Sequence, residues 1–208
     1  MKKLMTLTAA CLLALTSCAQ DVIQLPKLDK GANRVTLMDA LSQRHSERSY
    51  SDRALTPEQL SLLLWAANGV NREDGRLTAP TAMNRQDIQL FVCRADGAWL
   101  YDAAAHKLTR VCTDDLRAAV ATERQAFAKD APVSIVIVSD LRKFGNRPNR
   151  ELGSLDAGYV SQNIYLAATA MGLGTVARAT MDREALSKAL GLVEQQVLLL
   201  NHPVGYVK

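Results

Sequence analysis

From Glu151 to Met171 the chain runs for 21 residues with only two charges, Glu151 and Asp156. Leu155, Tyr159, Ile164, Ala167 and Met171 put apolar surface on several sides of the helix this segment predicts. A helix that is apolar on more than one face must be buried on more than one side. The segment therefore reads as a core helix that also serves an oligomer interface, closed by Gly172-Leu173-Gly174. Whatever this chain folds into must be built around that rod.

Around it the pattern is mixed. Thr36 with Asp39 starts one helix, and Leu55-Thr56-Pro57-Glu58-Gln59-Leu60 starts another, with Thr56 as cap, Pro57 in the first turn and Gln59 completing a capping box. Leu60, Leu63, Leu64 and Ala67 form its apolar stripe, and Gly69 is its stop. Asn71 to Met83 is polar and turn-rich. Ile88 to Cys93 reads as a strand, Asp96-Gly97 as a hairpin turn, and Lys107 to Cys112 as a third strand. Asp114 to Phe127 is expected to be helical. Ser134 to Val138 is β-branched and suits a buried central strand. Thr175 to Arg178 looks extended, Asp182 starts a helix that stops at Gly191, and Gln196 to Leu200 is a last strand. Helices and strands mix without strict alternation, so the fold class is α+β.

The N-terminus is of another kind. Met1-Lys2-Lys3 is basic, Leu4 to Leu15 is mostly apolar, and Leu15-Thr16-Ser17-Cys18 follows. Twelve such residues are too few for a permanent membrane span and suit a signal peptide. The ending resembles a bacterial lipobox, which implies lipidation of Cys18 and anchoring to a membrane surface; the alternative is a plain secretory signal. Residues 1–17 are thus the signal, 18–34 a tether, and 35–208 one domain of ordinary size. Removing residues 1–17 drops two lysines and lowers the formal charge from +4 to +2, with 23 basic and 21 acidic residues left. That balance, without a basic block, gives no reason to expect a nucleic-acid partner. Cys93 and Cys112 remain after export, where a disulfide is permissible and a buried free thiol equally normal. No zinc spacing is present.

Two segments could carry chemistry. In Arg44-His45-Ser46-Glu47-Arg48, two guanidiniums and a hydroxyl suit an anion, because a guanidinium presents a fork of donors that matches phosphate. In Ala79-Pro80-Thr81-Ala82-Met83-Asn84-Arg85-Gln86, a proline and small residues set a tight path, and Asn84 and Gln86 offer amides that donate and accept. Taken singly, each is equally a solvated helix end or a polar loop. His106 follows three alanines in a turn and is expected at the surface. His202 reads as packed or surface, and Trp65 and Trp99 as core or interface residues.

These two segments, followed by Gly172-Leu173-Gly174-Thr175 after the long helix, resemble in that order the nitroreductase-like FMN-dependent oxidoreductases. Leu64 to Arg72, Asp156 to Asn163 and His202 to Tyr206 are also similar to that family, so the likeness covers residues 35–208. The resemblance implies a central, mostly antiparallel sheet flanked by helices, with the long helix at a homodimer interface. It implies that Arg44, Ser46 and Arg48 hold the FMN phosphate, with His45 contributing. Pro80, Thr81, Ala82, Asn84 and Gln86 would follow the ribityl chain and ring, often from the partner subunit. Ala177 to Thr180 would pass one face of the ring, with a backbone N–H near Ala179 or Thr180 aimed at flavin N5. The flavin would carry out ping-pong hydride transfer to or from a small organic substrate, so no side chain is named as catalytic.

Three departures accompany the likeness. Asp87 stands where the family often has proline, and is expected beside the ring's polar edge. Ala179-Thr180 stands where glycine or an acid is usual. Lys208 stands where many members continue into a basic arm; it is either a substitute phosphate contact or a solvated terminus. NAD(P)H, the usual family donor, is not expected outside the cytoplasm, so another reduced carrier or an oxidisable substrate could take its place. A non-catalytic lipoprotein that binds flavin or another flat conjugated ligand is the competing function.

Overall fold

The computed structural model describes residues 21–31 and 35–208. The signal sequence and Cys18 lie outside the described residues. The elements are β1 (Val22–Gln24), α1 (Leu37–Gln43), α2 (Pro57–Asn68), β2 (Ile88–Arg94), β3 (Gly97–Asp102), β4 (Lys107–Cys112), α3 (Arg117–Ala121), β5 (Val133–Asp140), α4 (Arg150–Ala170), β6 (Gly174–Thr175), α5 (Arg183–Ala189) and β7 (Gln196–Gly205). The strands form one seven-stranded sheet in the order β1-β4-β3-β2-β5-β7-β6. Every pairing between these strands is antiparallel. The expected class and sheet are thus observed.

The helix signals hold locally. Thr56 accepts from Gln59 N, and the Gln59 side chain accepts from Thr56 N, so two donors at the start of α2 are satisfied reciprocally. Thr36 and Asp39 do the same for α1. The long helix packs one stripe, Ala157, Val160, Ile164 and Ala168, against Leu60, Leu63, Leu64 and Ala67 of α2. Both cover one face of the sheet, built from Ile88, Leu90, Val92, Ile135 and Ile137. On the other face Phe91, Val136, Val138 and Leu198 lie under Val120 of α3 and Leu186 of α5, with Leu190 just beyond its end. Strand β5 is buried on both faces along its whole length, which is why it carries an unbroken β-branched run.

Four expectations need correction. Residues Val22–Gln24, read as part of a tether, pair with β4 and extend the sheet, and Leu25 is buried in the core. The segment from Asp114 is not one helix: α3 ends at Ala121, Thr122 turns to φ 62°, and 3-10 turns follow. The cause is distant in sequence, because the carbonyls of Val120 and Ala121 are taken by the guanidinium of Arg178. Gln196 to Gly205 is one strand and does not end at Leu200. His106 is half-buried, with its ring between Ser61 (2.7 Å) and Tyr101 (2.9 Å). Burial lowers its pKa from the ordinary value.

The cysteine question is settled by register. Cys93 on β2 and Cys112 on β4 both face Ala98 of the intervening β3. Two strand spacings put them about 9–10 Å apart, beyond the reach of about 7 Å for a disulfide. Both are free thiols, and burial pushes Cys93 up to about 12.

One glycine sets the height of α4 over the sheet. A Cβ on Gly153 would collide with the Ser139 hydroxyl and lie 3.4 Å from Asp87 Oδ2. Ser139 is fully buried and cannot swing away. Gly153→Ala should therefore destabilise by about 1–3 kcal/mol, the overpacking cost outweighing the gain in helix propensity. Denaturant unfolding checks this; a gain in stability would show that α4 is free to lift.

Candidate functional site

The first segment leaves the helix rather than continuing it. Arg44 caps α1 with φ −57° and ψ 121°, and the following residues extend along the turn before β6. Glu47 pins them: its N–H donates to Thr175 O (2.9 Å), and its carboxylate accepts from Arg48 N (2.7 Å) and Ser49 N (2.9 Å). Tyr50 OH donates to Glu47 O, and Gly174 lacks the Cβ that would strike the Glu47 side chain. Thus Glu47, which the anion argument passed over, shapes the turn that presents its neighbours.

Arg44 lies 5.1 Å from the Tyr165 ring centre, and Arg48 reaches only the Ser46 carbonyl (3.5 Å). Among the described residues neither guanidinium is ion-paired. Two unneutralised cations beside a serine suit a phosphate group. His45 differs, donating from Nδ1 to Gln43 O (2.8 Å) with Nε2 3.6 Å from Glu47. Lys208 comes close through its backbone, donating to Ser49 O (3.4 Å), while Val207 bridges to Tyr50.

Tyr165 on α4 joins this turn to the segment after β6. Its hydroxyl accepts from Ala177 N (2.9 Å) and lies 2.9 Å from Ser46 Oγ. A tyrosine hydroxyl that accepts from Ala177 can donate to Ser46, an arrangement that leaves the serine proton for a ligand. His202 packs edge-on against Tyr165. Thr175 donates to Pro203 O, so it accepts from His202 Nδ1 (3.1 Å), and Ser161 donates to Nε2 (2.8 Å). Full burial lowers the His202 pKa to about 3, so the ring is neutral and structural.

Ala179 and Thr180 are exposed, and neither N–H is engaged by another described residue. Their carbonyls are held instead, by Arg183 (3.2 Å) and Asn201 (3.0 Å). Between them and Ala177, Arg178 turns inward to 5% exposure. A backbone face with open N–H donors is what the flat-ligand reading requires.

The loop 80–86 is braced differently from expectation. Ala82 N donates to both carboxylate oxygens of Asp156 (3.0 and 2.9 Å), so that N–H is already engaged and any ligand contact of Ala82 is through its other atoms. Thr81 Oγ1 accepts from Gln86 N (2.9 Å), and Gln86 Nε2 donates to Gly75 O (3.1 Å). Met83, Asn84 and Gln86 all adopt positive φ, near 50°. For residues with a Cβ this conformation persists only where neighbours hold it. Met83, 68% exposed, is a contact candidate that sequence reasoning missed; its left-handed backbone leaves no mark in composition. Pro80 and Asn84 are exposed beside it.

Asp87 is not at an exposed edge. It is fully buried, accepting from Ser139 Oγ at 2.5 Å and facing Asp156 of α4. Desolvation first, then the Asp156 carboxyl, hold its proton up to about 6, above the ordinary carboxylate range. The folded state thus binds that proton more tightly than the unfolded chain. The contribution of Asp87 is most favourable below about pH 4 and is lost as pH rises through about 6. Asp156 and Tyr165 were both inside the recognised helix; Asp156 stood out as one of its two charges and as part of a family-like stretch, whereas nothing local marked Tyr165. They sit nine residues apart on α4, about 13.5 Å along its axis, one holding the loop and the other the arginine turn.

A model of the nitroreductase family matches residues 41–206. A protein of Methanocaldococcus jannaschii named as a nitroreductase is 32% identical over 195 residues, covering 88% of this chain and 95% of its own. A crystal structure from Ralstonia eutropha, also named as a nitroreductase, superposes with TM-score 0.82 at 30% identity, covering 90% of each chain. A third, from Desulfovibrio desulfuricans and in complex with FMN, gives TM-score 0.60 at 26% identity, covering 82% of this chain and 86% of its own.

Proposed function

The chain belongs to the nitroreductase family, and from that premise we propose that it is an FMN-dependent oxidoreductase acting on a small organic molecule. The observation that carries the reading is the pair of unneutralised guanidiniums, Arg44 and Arg48, next to the Tyr165-linked Ser46 and the open N–H face of Ala179 and Thr180. The FMN bound by the Desulfovibrio relative supports the choice of cofactor. When bound, FMN would pass hydride between a donor, NAD(P)H or another carrier, and an acceptor.

The residues divide the remaining work. Arg44, Arg48 and the freed Ser46 proton bind the phosphate as a dianion, and Lys208 adds charge at the rim. The N–H groups of Ala179 and Thr180 give fixed dipoles against the ring, donors that do not titrate. Pro80, Thr81, Asn84 and Gln86 orient the ring's polar edge.

A homodimer completes the reading. Leu37, Met38 and Leu41 on α1, and Leu155 and Tyr159 on α4, are exposed apolar side chains on adjacent helices. Such a surface fits a second copy of the chain. On the Lys2-Lys3 and Leu15 to Cys18 pattern, the protein is a lipid-anchored, extracytoplasmic enzyme, with Cys18 lipidated.

Purification tests the function. The protein should be yellow, release one FMN per protomer on denaturation, and cycle between reduction by a donor and reoxidation by a quinone or nitroaromatic. A colourless protein that FMN cannot reconstitute would overturn the cofactor. Stoichiometric FMN that no donor reduces would overturn the oxidoreductase in favour of a flavin-binding lipoprotein.

A further inference from the structure

Beneath the loop 80–86 lies a buried carboxyl pair that the flavin chemistry does not use. Asp87 is 0% exposed and Asp156 2% exposed. Asp87 Oδ2 accepts from Ser139, whereas Oδ1 has no donor among the described residues. Asp87 Oδ2 lies 3.4 Å from where a Cβ on Gly153 of α4 would stand, and on the same helix Asp156 has both of its oxygens accepting from Ala82 N.

Among the described residues no cation pairs with either carboxyl. From β5, Ser139 is neutral, and Asp140 at the strand's end is turned to Arg142 (2.6 Å). From α2, Asn68 is neutral and bonds Ile88 O. On the loop Arg85 is exposed, as are Arg150 and Glu151 in the first turn of α4. Two carboxylates in a dry site without a counter-charge are stabilised by sharing one proton. That proton is also the partner Oδ1 otherwise lacks.

We propose that Asp87 is a positioning residue for the flavin loop: the proton it shares with Asp156 keeps the Asp156 carboxylate on Ala82 N–H and fixes the loop in its ligand-binding shape. The left-handed residues Met83, Asn84 and Gln86 make this necessary, since a strained loop opens when its anchor slackens. Loss of the shared proton sets two anions against each other and loosens Asp156 from Ala82. The link to ligand binding rests on the FMN reading above; the link to Ala82 does not.

Asp87→Asn is the informative variant. Its carboxamide oxygen can accept from Ser139 while its N–H donates permanently to Asp156, mimicking the shared proton. In FMN-free protein, amide exchange at Ala82, corrected for its intrinsic rate, should lose about tenfold in protection between pH 5 and pH 8 in the parent chain, corresponding to one unit of linkage. Asp87→Asn should keep its protection. The FMN dissociation constant of the parent relative to Asp87→Asn should rise from about 1 at pH 5 to about 10 at pH 8, on the same linkage. Ionisation of the FMN phosphate is common to both proteins and cancels in that ratio. Equal Ala82 protection at both pH values, or the parent's slope in Asp87→Asn, would sink the proposal. A steep Ala82 profile with no FMN binding at either pH would uphold the anchor and remove the FMN reading instead.

Discussion

Arg178→Ala is expected to cost about 3–5 kcal/mol of unfolding free energy, the range seen when a buried charge network is broken. The side chain is 5% exposed and donates to Gln125 Oε1 (2.6 Å), Asn201 Oδ1 (2.8 Å), Val120 O (3.1 Å) and Ala121 O (2.6 Å). Its ring neighbour is Phe127, 5.7 Å away. Burial lowers its pKa, but a guanidinium remains charged at neutral pH. Four neutral acceptors replace a counter-ion, and each hydrogen bond to a charged group is worth roughly 1.5–3 kcal/mol. Truncation leaves two backbone carbonyls unpaired where α3 ends, beside a cavity the length of the side chain. The loss corresponds to a fall in Tm of roughly 10 °C for a domain of this size. Urea unfolding should show a lower midpoint at unchanged slope. Arg178→Lys, which reaches fewer acceptors, should fall between. A loss below about 1 kcal/mol, the level of a surface change, would mean that water replaces the guanidinium.

Arg44→Ala combined with Arg48→Ala should do the opposite, leaving the fold intact and removing the cofactor. Among the described residues neither guanidinium is ion-paired, so their loss sacrifices little beyond the Arg44–Tyr165 contact, worth about 0.5–1 kcal/mol. Against a phosphate dianion each charge-assisted pair is worth about 1.5–3 kcal/mol, so FMN affinity should drop by two to four orders of magnitude. Flavin content after dialysis, read with the unfolding midpoint, separates the two effects. Unchanged flavin content would move the phosphate site elsewhere. An unfolded double variant would show that the turn from Arg44 to Arg48 is structural.

These two arginine sites differ in how visible they were. Arg44 and Arg48 stand in one short run with a serine between them, so an anion-binding role could be proposed from spacing and from the family likeness. Arg178 lay in the stretch expected along the ring, but its side chain serves the opposite side. Its four partners come from residues 53 to 58 positions earlier in the chain and 23 later. The same contacts explain why the helix expected from Asp114 breaks at Thr122: a local pattern that favours continuation lost to a buried cation's demand for carbonyls. Asp87 was noticed as an oddity, but its placement depended on Gly153 bringing α4 down onto Ser139.

Signals that act over one turn or one strand were decisive in the amino-acid order itself. Thr56-Pro57-Gln59 starts α2 because its donors and acceptors lie within four residues. The run from Ser134 to Val138 is a central strand because both faces of its pleat are apolar. The core helix, the α+β class and the order of the segments around the site follow from rules of that range. What tertiary structure alone decided is which polar groups meet across the core: Tyr165 with Ser46 and Ala177, Asp156 with Ala82 and Asp87, Arg178 with the end of α3. Those meetings join residues up to 119 positions apart, and burial makes each polar group find a partner wherever packing delivers one. Spacing along the chain holds no record of that choice, because it is made by the packing of α4 and the sheet as a whole.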